Sequence, residues 1–227
     1  SSHGLIYPRI DRRLHVKSAE QIWEMVTGEP PSRPVTHQML IALLHQRGAK
    51  FWGGIDFGYT AAFSLPVGAE LGHRMFILEA IELTGLEPEQ QKERSEFIQE
   101  MYHNPGLYPD TEVGGGVIRS WRRAGFRMMS WVKGKGSVLE GIEAVKTKLR
   151  PAGGEPELYF LDCDRVNVLV HRLSRYHWRM DALGRITDEP DKSDPDAPSD
   201  AADGCRYLVM NRFPLRSRKK QDPAEKV

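Results

Sequence analysis

The sequence predicts an α/β domain around a mixed β-sheet. Strand-like apolar runs alternate with helix-period segments along most of the chain, the pattern of a sheet covered by helices. The opening strands, 51–57 and 73–83, with a hairpin of irregular first arm over 62–79, make that sheet mixed rather than all parallel. At 227 residues the chain is long enough for one large domain or two small ones with a sizeable core.

Each element has its own signal. Residues 4–16 read as an extended lead-in, and 18–27 and 35–47 as short helices split by GEPPSRP. Residues 87–103 are helical, with Arg94, Phe97, Ile98 and Met101 on one face. LYPD (107–110) ends a strand, 112–125 is a helix begun after a glycine turn, and 126–131 is a strand. In that helix Val117, Trp121 and Ala124 face inward and Gly125 stops it.

Residues 137–149 repeat Val138, Ile142, Val145 and Leu149 at helical spacing, with Ser137 as N-cap and Glu140 completing a capping box. ELYFLDC (157–163) is a strand. The helix 164–177 turns Val166, Leu169, Val170 and Leu173 inward and Arg165, Arg172 and Arg175 outward. A hairpin over 177–187 turns at Leu183-Gly184, an acidic loop spans 188–203, and a last helix covers roughly 199–211. The tail from Pro214 is basic and reads as disordered, and Ser1-Ser2-His3 reads as the remnant of a cleaved tag.

Composition removes several function classes. Net charge is +1, so no global field favours nucleic acid and any such case rests on local patches. Two cysteines, Cys163 and Cys205, make no disulfide scaffold, and no Cys/His cluster has zinc spacing. No run of 18 apolar residues and no signal-peptide pattern occurs, which fits an intracellular protein away from membranes.

The carboxylates carry the chemistry. Asp56 sits inside an apolar strand, FWGGIDF, where an unpaired carboxylate is costly. Asp110 ends another strand, and Asp200 and Asp203 lie at i, i+3 near the start of the last helix. Taken singly, Asp56 reads about as well as a turn cap, Asp110 as a turn residue and Asp200 as a helix N-terminal charge. Brought together, three such groups cannot all ionise unpaired, and hard divalent cations relieve the repulsion. Oxygen-only ligands point to Mg²⁺ or Mn²⁺. Two such ions about 3.5–4 Å apart would clamp the attacking and leaving oxygens of a phosphodiester.

The succession of motifs resembles the nuclease domain of the large terminase subunit of tailed bacteriophages, a ribonuclease H-like fold. The matching pieces are GLIYPRID, GGIDFG, YPD with GGVIRSWRRAGF, KGKGSVLEGIEAVKTKL, LYFLDCDRVNVLVHRLSRYHWR and the closing DAADGCRYLV, from Gly4 to about Phe213. The resemblance implies helices on both faces of the sheet. It makes 51–213 the nuclease domain, 1–50 a lead-in packed on it and 214–227 a tail. It makes Asp56, Asp110 and Asp203 the metal-binding catalytic triad, with Asp200 a possible fourth ligand where the family has a histidine. The family's closing motif is Asp-Ala-Leu-Arg-Tyr; here it reads DGCRY.

The resemblance further implies cleavage of concatemeric double-stranded viral DNA during genome packaging, in the cytoplasm of an infected bacterial host and transiently at the capsid portal. It implies as partners an ATPase half of the same subunit, the portal and the small terminase subunit. No G-x-x-x-x-G-K-[ST] occurs, so the ATPase half is expected outside this chain. A site this acidic needs basic groups to hold DNA: Lys133 and Lys135 on KGKG, then Arg119, Arg122, Arg123 and Arg127, with Arg179 and Arg185 on the hairpin as a second clamp. The same hairpin is placed to gate the site. The alternative reading is one lobe of an actin/Hsp70-like ATP-binding protein using GIDFGYT as its phosphate loop, although no second such loop follows.

Overall fold

In a computed structural model of the chain, residues 4–58, 62–152, 154–194 and 199–215 are described. Residues 1–3, Tyr59 and Thr60 of GIDFGYT with Ala61, Gly153, residues 195–198 of the acidic loop and the tail beyond 215 lie outside them. The elements in chain order are α1 (Arg12–His15), β1 (Val16–Lys17), α2 (Ala19–Thr27), α3 (His37–Gln46), β2 (Lys50–Phe57), β3 (Phe63–Leu71) and β4 (Arg74–Leu83). Then come α4 (Pro88–Ser95), α5 (Phe97–Met101), β5 (Gly106–Pro109), α6 (Gly115–Arg123), β6 (Arg127–Met128) and α7 (Ser137–Leu149). The chain closes with β7 (Leu158–Leu161), α8 (Asp164–Arg175), β8 (Trp178–Met180), β9 (Ile186–Pro190) and α9 (Ser199–Arg212).

Seven strands form one sheet in the order β1-β7-β4-β3-β2-β5-β6, and β8 with β9 forms a separate hairpin. In the large sheet only β3 runs against the rest: it pairs antiparallel with β2 and β4, and every other pairing is parallel. The carboxyl ends of β2, β5 and β7 therefore share one edge, where ligands of open α/β sheets bind.

Helices cover both faces. On one, α7, α8 and α9 bury Ile142, Val145, Leu169, Val170 and Leu208 against Trp52, Ile77 and Phe160. On the other, α2, α3, α5 and α6 bury Ile22, Leu40, Leu44, Ile98 and Trp121 against Ile55, Leu65 and Val67. Each such fully buried side chain contributes about 1.5–3 kcal/mol. Residues 17–50 thus have a plain role: β1 extends the sheet beside β7, and α2 and α3 cover its second face. Ser18 and Gln21 form a reciprocal cap at the start of α2, and Gly28, at φ 82°, ends it.

Several local expectations are corrected. The first arm of the hairpin is a regular nine-residue strand; the irregularity is one register shift between Val67 and Gly68. There Val67 faces Glu79 while Gly68 faces Ile77, so Leu78 is an extra residue in β4 and Glu79 turns to the α3/α5 face. Glu79 is buried there with Arg165 at 2.7 Å and the Tyr102 hydroxyl at 3.4 Å. Residues 87–103 break into α4 and α5, and Arg94 is exposed. Polar Gln91 and Ser95 take the inner face because Gln91 Nε2 donates to the Leu86 and Gly58 carbonyls and Ser95 Oγ to that of Gln91.

The strand expected over 126–131 shrinks to Arg127–Met128 at the sheet edge. Helix α7 is capped by Gly136, at φ 81°, rather than by Ser137, which is buried in the first turn. The left-handed glycine that closes KGKG starts the helix one residue early. Among the described residues no helix is long and apolar enough to cross a membrane.

Candidate metal centre

Strand register brings the first two carboxylates together. Ile55 pairs with Pro109 in the parallel β2–β5 ladder, and the Asp110 amide donates to the Ile55 carbonyl at 2.8 Å. One step further along, Asp56 and Asp110 stand side by side on strands about 4.8 Å apart. Trp131 fixes the end of β5 by donating from Nε1 to the Pro109 carbonyl at 2.6 Å.

Two glycines bring the third. Gly54 lies on the same face of β2 as Asp56, two residues before it, and α9 crosses directly above. A Cβ at Gly54 would fall 1.9 Å from the Gly204 carbonyl oxygen and 2.9 Å from the Leu208 amide nitrogen. A Cβ at Gly204 would fall 2.9 Å from Pro66 Cδ and 3.0 Å from Ser64 Oγ. Helix and strand touch through bare backbone, which sets Asp203, next to Gly204, over Asp56. Pro66 and Ser64 leave little room for a side chain at position 204.

The electrostatics report that convergence. Asp56 is only 8% exposed, and burial first, then the charges of Asp203, Asp200 and Asp110 against the pull of Arg206, raise its carboxyl to about 8. Asp203, Asp200 and Asp110 thus lie near enough to Asp56 for their charges to act on it. Asp203, 9% exposed, accepts at Oδ1 from Arg206 Nη2 at 2.8 Å and Nε at 3.2 Å. Asp110 Oδ1 accepts from the Glu112 amide at 3.0 Å and lies 3.5 Å from Lys133 Nζ, which also pairs with Glu112 at 3.0 Å.

Among the described residues no three His, Cys, Asp or Glu side chains are arranged to hold an ion as they stand. The reason is visible: Asp203 is turned onto Arg206, and Asp110 onto Lys133 and a backbone amide. The donor set nonetheless fits a hard divalent cation. It is all carboxylate oxygen, and Asp56 is forced toward its neutral form by burial and by its neighbours, a strain that a cation removes. Asp56, Asp110 and Asp203 would hold the ion, with Asp200 in the first turn of α9 beside them.

A cleft of about 770 Å³ opens between this edge and the β8–β9 hairpin, lined among others by Lys133, Tyr176, Arg179, Asp191, Asp203 and Arg206. A groove of similar size, about 820 Å³, runs along α7 beside residues 5–9 and contains none of the four aspartates. The hairpin base is held by the start of the chain: the Trp178 amide donates to the Gly4 carbonyl and the Ile6 amide to that of Tyr176, both at 2.8 Å.

The predicted basic residues separate by position. Lys133 lines the cleft, and Lys135 lies two residues further along the same loop. Arg119 and Arg123 are carried on α6. Arg127 is in register with Gly106, at the end of β5 away from Asp110, where it donates to the Asn104 carbonyl. Arg122 donates to the Met128 carbonyl nearby. On the hairpin, Arg179 pairs with Glu189 at 2.5 Å and Arg185 with Asp181 at 2.7 Å. Sequence reasoning missed Gly54, Tyr176 and Glu112 as parts of the site, and left Arg206 without a role. The i, i+3 spacing of Asp203 and Arg206 on one helix was the available signal for that last residue.

No protein-family model matches the sequence, and no curated protein does at a significant level. Solved structures do match. The large terminase of a thermophilic bacteriophage, solved in complex with ADP, superposes with a TM-score of 0.63 at 19% identity, covering 91% of this chain and 44% of that one. The g2p nuclease domain of bacteriophage SPP1, solved with bound Mn, gives 0.57 at 16% identity over 75% of this chain and 90% of that one.

The fold is that of a large-terminase nuclease domain.

The nuclease of thermophilic phage G20c agrees, at 0.54 and 15% identity over 73% of this chain and 83% of that one, and it too was solved with magnesium and with cobalt. The ribonuclease H-like expectation of a mixed sheet with helices on both faces thus holds. The chain spans less than half the length of the ADP-bound terminase, 44%.

Proposed function

We propose that this terminase-type domain is a metal-dependent endonuclease that cuts double-stranded concatemeric viral DNA during genome packaging. The observation that carries the reading is the convergence of Asp56, Asp110 and Asp203 from two strands and a helix, with Asp56 buried among like charges. The terminase nuclease fold, and the metals bound in the SPP1 and G20c domains, support it.

The three aspartates, with Asp200 at their side, are the ligands of two divalent cations, Mg²⁺ or Mn²⁺. Bound there, such ions supply an activated water and stabilise the leaving oxygen of a phosphodiester. Asp56, buried beside α9, would be one of the residues that hold them. Asp110, now beside Lys133, would help hold the cation, and Lys133 would then be available to a phosphate oxygen. Lys135 and Arg119 extend that contact. Arg127, at the end of β5 away from Asp110, and Arg122 and Arg123 near it would meet the duplex away from the metal centre. Arg179 and Arg185 form the opposite clamp, because exposed ion pairs worth about 0–1 kcal/mol yield readily to phosphates. Such contacts bind without reading sequence.

The ATPase half of the same subunit, the portal and the small terminase subunit complete the machine, in the cytoplasm of an infected bacterium. The ADP held by the longer phage terminase supports the place of an ATPase in that assembly. The decisive test is supercoiled plasmid with Mn²⁺ or Mg²⁺. Nicking and linearisation that vanish with EDTA and with Asp56→Asn are expected, and cleavage that survives Asp56→Asn overturns the assignment.

A further inference from the structure

Arg206 is the most deeply buried cation of the chain's described residues, 2% exposed and almost entirely enclosed by protein. Burying a guanidinium is expensive unless a place is built for it. Here one is. On α7, Gly141 has no side chain, and a Cβ there would meet Arg206 Cγ at 2.5 Å and Cδ at 2.8 Å. The arginine stem therefore threads through a notch in the facing helix. Its guanidinium stands 4.9 Å from the centre of the Tyr207 ring. Tyr7, from the start of the chain, is buried in the same core cluster as Tyr207, and its hydroxyl and Arg206 Nη1 are both buried without a hydrogen bond to a described residue.

The hydrogen bonds are one-sided. Nε and Nη2 both donate to Oδ1 of Asp203 instead of spanning the two oxygens, and Oδ2 receives no hydrogen bond among the described residues. An arginine that served only to neutralise Asp203 would take both oxygens in the bidentate arrangement that guanidinium and carboxylate favour. The observed arrangement occupies one oxygen and fixes the direction of the other.

We propose that Arg206 is a positioning residue of the metal centre: seated in a slot cut by Gly141 and set over the Tyr207 ring, it holds Asp203 by Oδ1 so that Oδ2 stays open to a divalent cation. This rests on the metal-centre reading above. Groups that orient a ligand from behind typically change metal affinity by about 10–100-fold when altered.

The test is Mn²⁺ binding without DNA, by calorimetry and by the Mn²⁺-induced rise in melting temperature. Arg206→Lys keeps the charge but cannot send two donors to one oxygen. Gly141→Ala keeps every charge and favours helix, yet fills the slot, and it carries the test if Arg206→Lys does not fold. The expected result is Mn²⁺ affinity about 10-fold weaker or more in each folded variant, measured below that variant's own melting temperature in EDTA. Affinity within about twofold of the unaltered protein in either folded variant, while Asp203→Asn loses binding, overturns the positioning role and leaves the metal centre standing. No Mn²⁺ binding by the unaltered protein overturns both.

Discussion

Gly54 and Gly204 leave no space for a single carbon between them: a Cβ on the first would lie 1.9 Å from the carbonyl oxygen of the second. Through that contact α9 rests on β2, and through it Asp203 reaches Asp56. The site's geometry is set by two residues that have no chemistry of their own.

Gly54→Ala is expected to force the helix off the strand, because the obstructing atoms are backbone and cannot rotate away. Overpacking of this kind costs about 3 kcal/mol or more when nothing can yield. Gly204→Ala meets the edge of Pro66 and a serine hydroxyl instead, so its cost falls toward about 1 kcal/mol. Urea unfolding of the two variants gives the comparison; Gly54→Ala losing less than Gly204→Ala contradicts the contact.

The raised carboxyl of Asp56 makes metal-free stability depend on pH. Unfolded, the group ionises near pH 4; folded, it stays protonated up to about 8. Between those values the folded state holds the extra proton, so stability falls as pH rises through that window. Asp56→Asn has no proton to lose and removes this slope. In EDTA its stability gain over the unaltered protein is expected to grow from about pH 5 to about pH 8. A constant difference across that range contradicts the buried, charge-crowded placement.

Lys133 is the cation expected to matter most for DNA. Lys133→Ala should lower affinity and reduce the slope of log affinity against log salt by about one. Arg127→Ala, beside Gly106 at the other end of β5, should change both less. Fluorescence anisotropy with a short duplex in Ca²⁺ measures the two. Equal effects would remove Lys133 from its place at the cleft.

What could be read along the chain follows from range. Helices α7 and α8 repeat apolar residues within a few turns, and Val166, Leu169, Val170 and Leu173 are buried as their spacing predicts. Asp56 stands out because a carboxylate in an apolar strand is anomalous locally. The contact of Gly54 with Gly204 joins residues far apart in the chain, and no pattern along it announces the meeting. Arg94 misled because its spacing matched Phe97 and Ile98, whereas Gln91 and Ser95 go inside by satisfying carbonyls their own neighbours supply. The bulge at Leu78, which turns Glu79 onto the other face, depends on the register of β3 and is invisible in β4 alone.

The central claim is that Asp56, Asp110 and Asp203 together hold the catalytic cation. Crystals soaked in Mn²⁺ and measured at the manganese absorption edge test it most directly. Anomalous density is expected among those three carboxylates, with Lys133 withdrawn from Asp110 and the Arg206 hydrogen bonds to Asp203 retained. Manganese bound elsewhere, with Asp110 still on Lys133 and no density at Asp56, would contradict it.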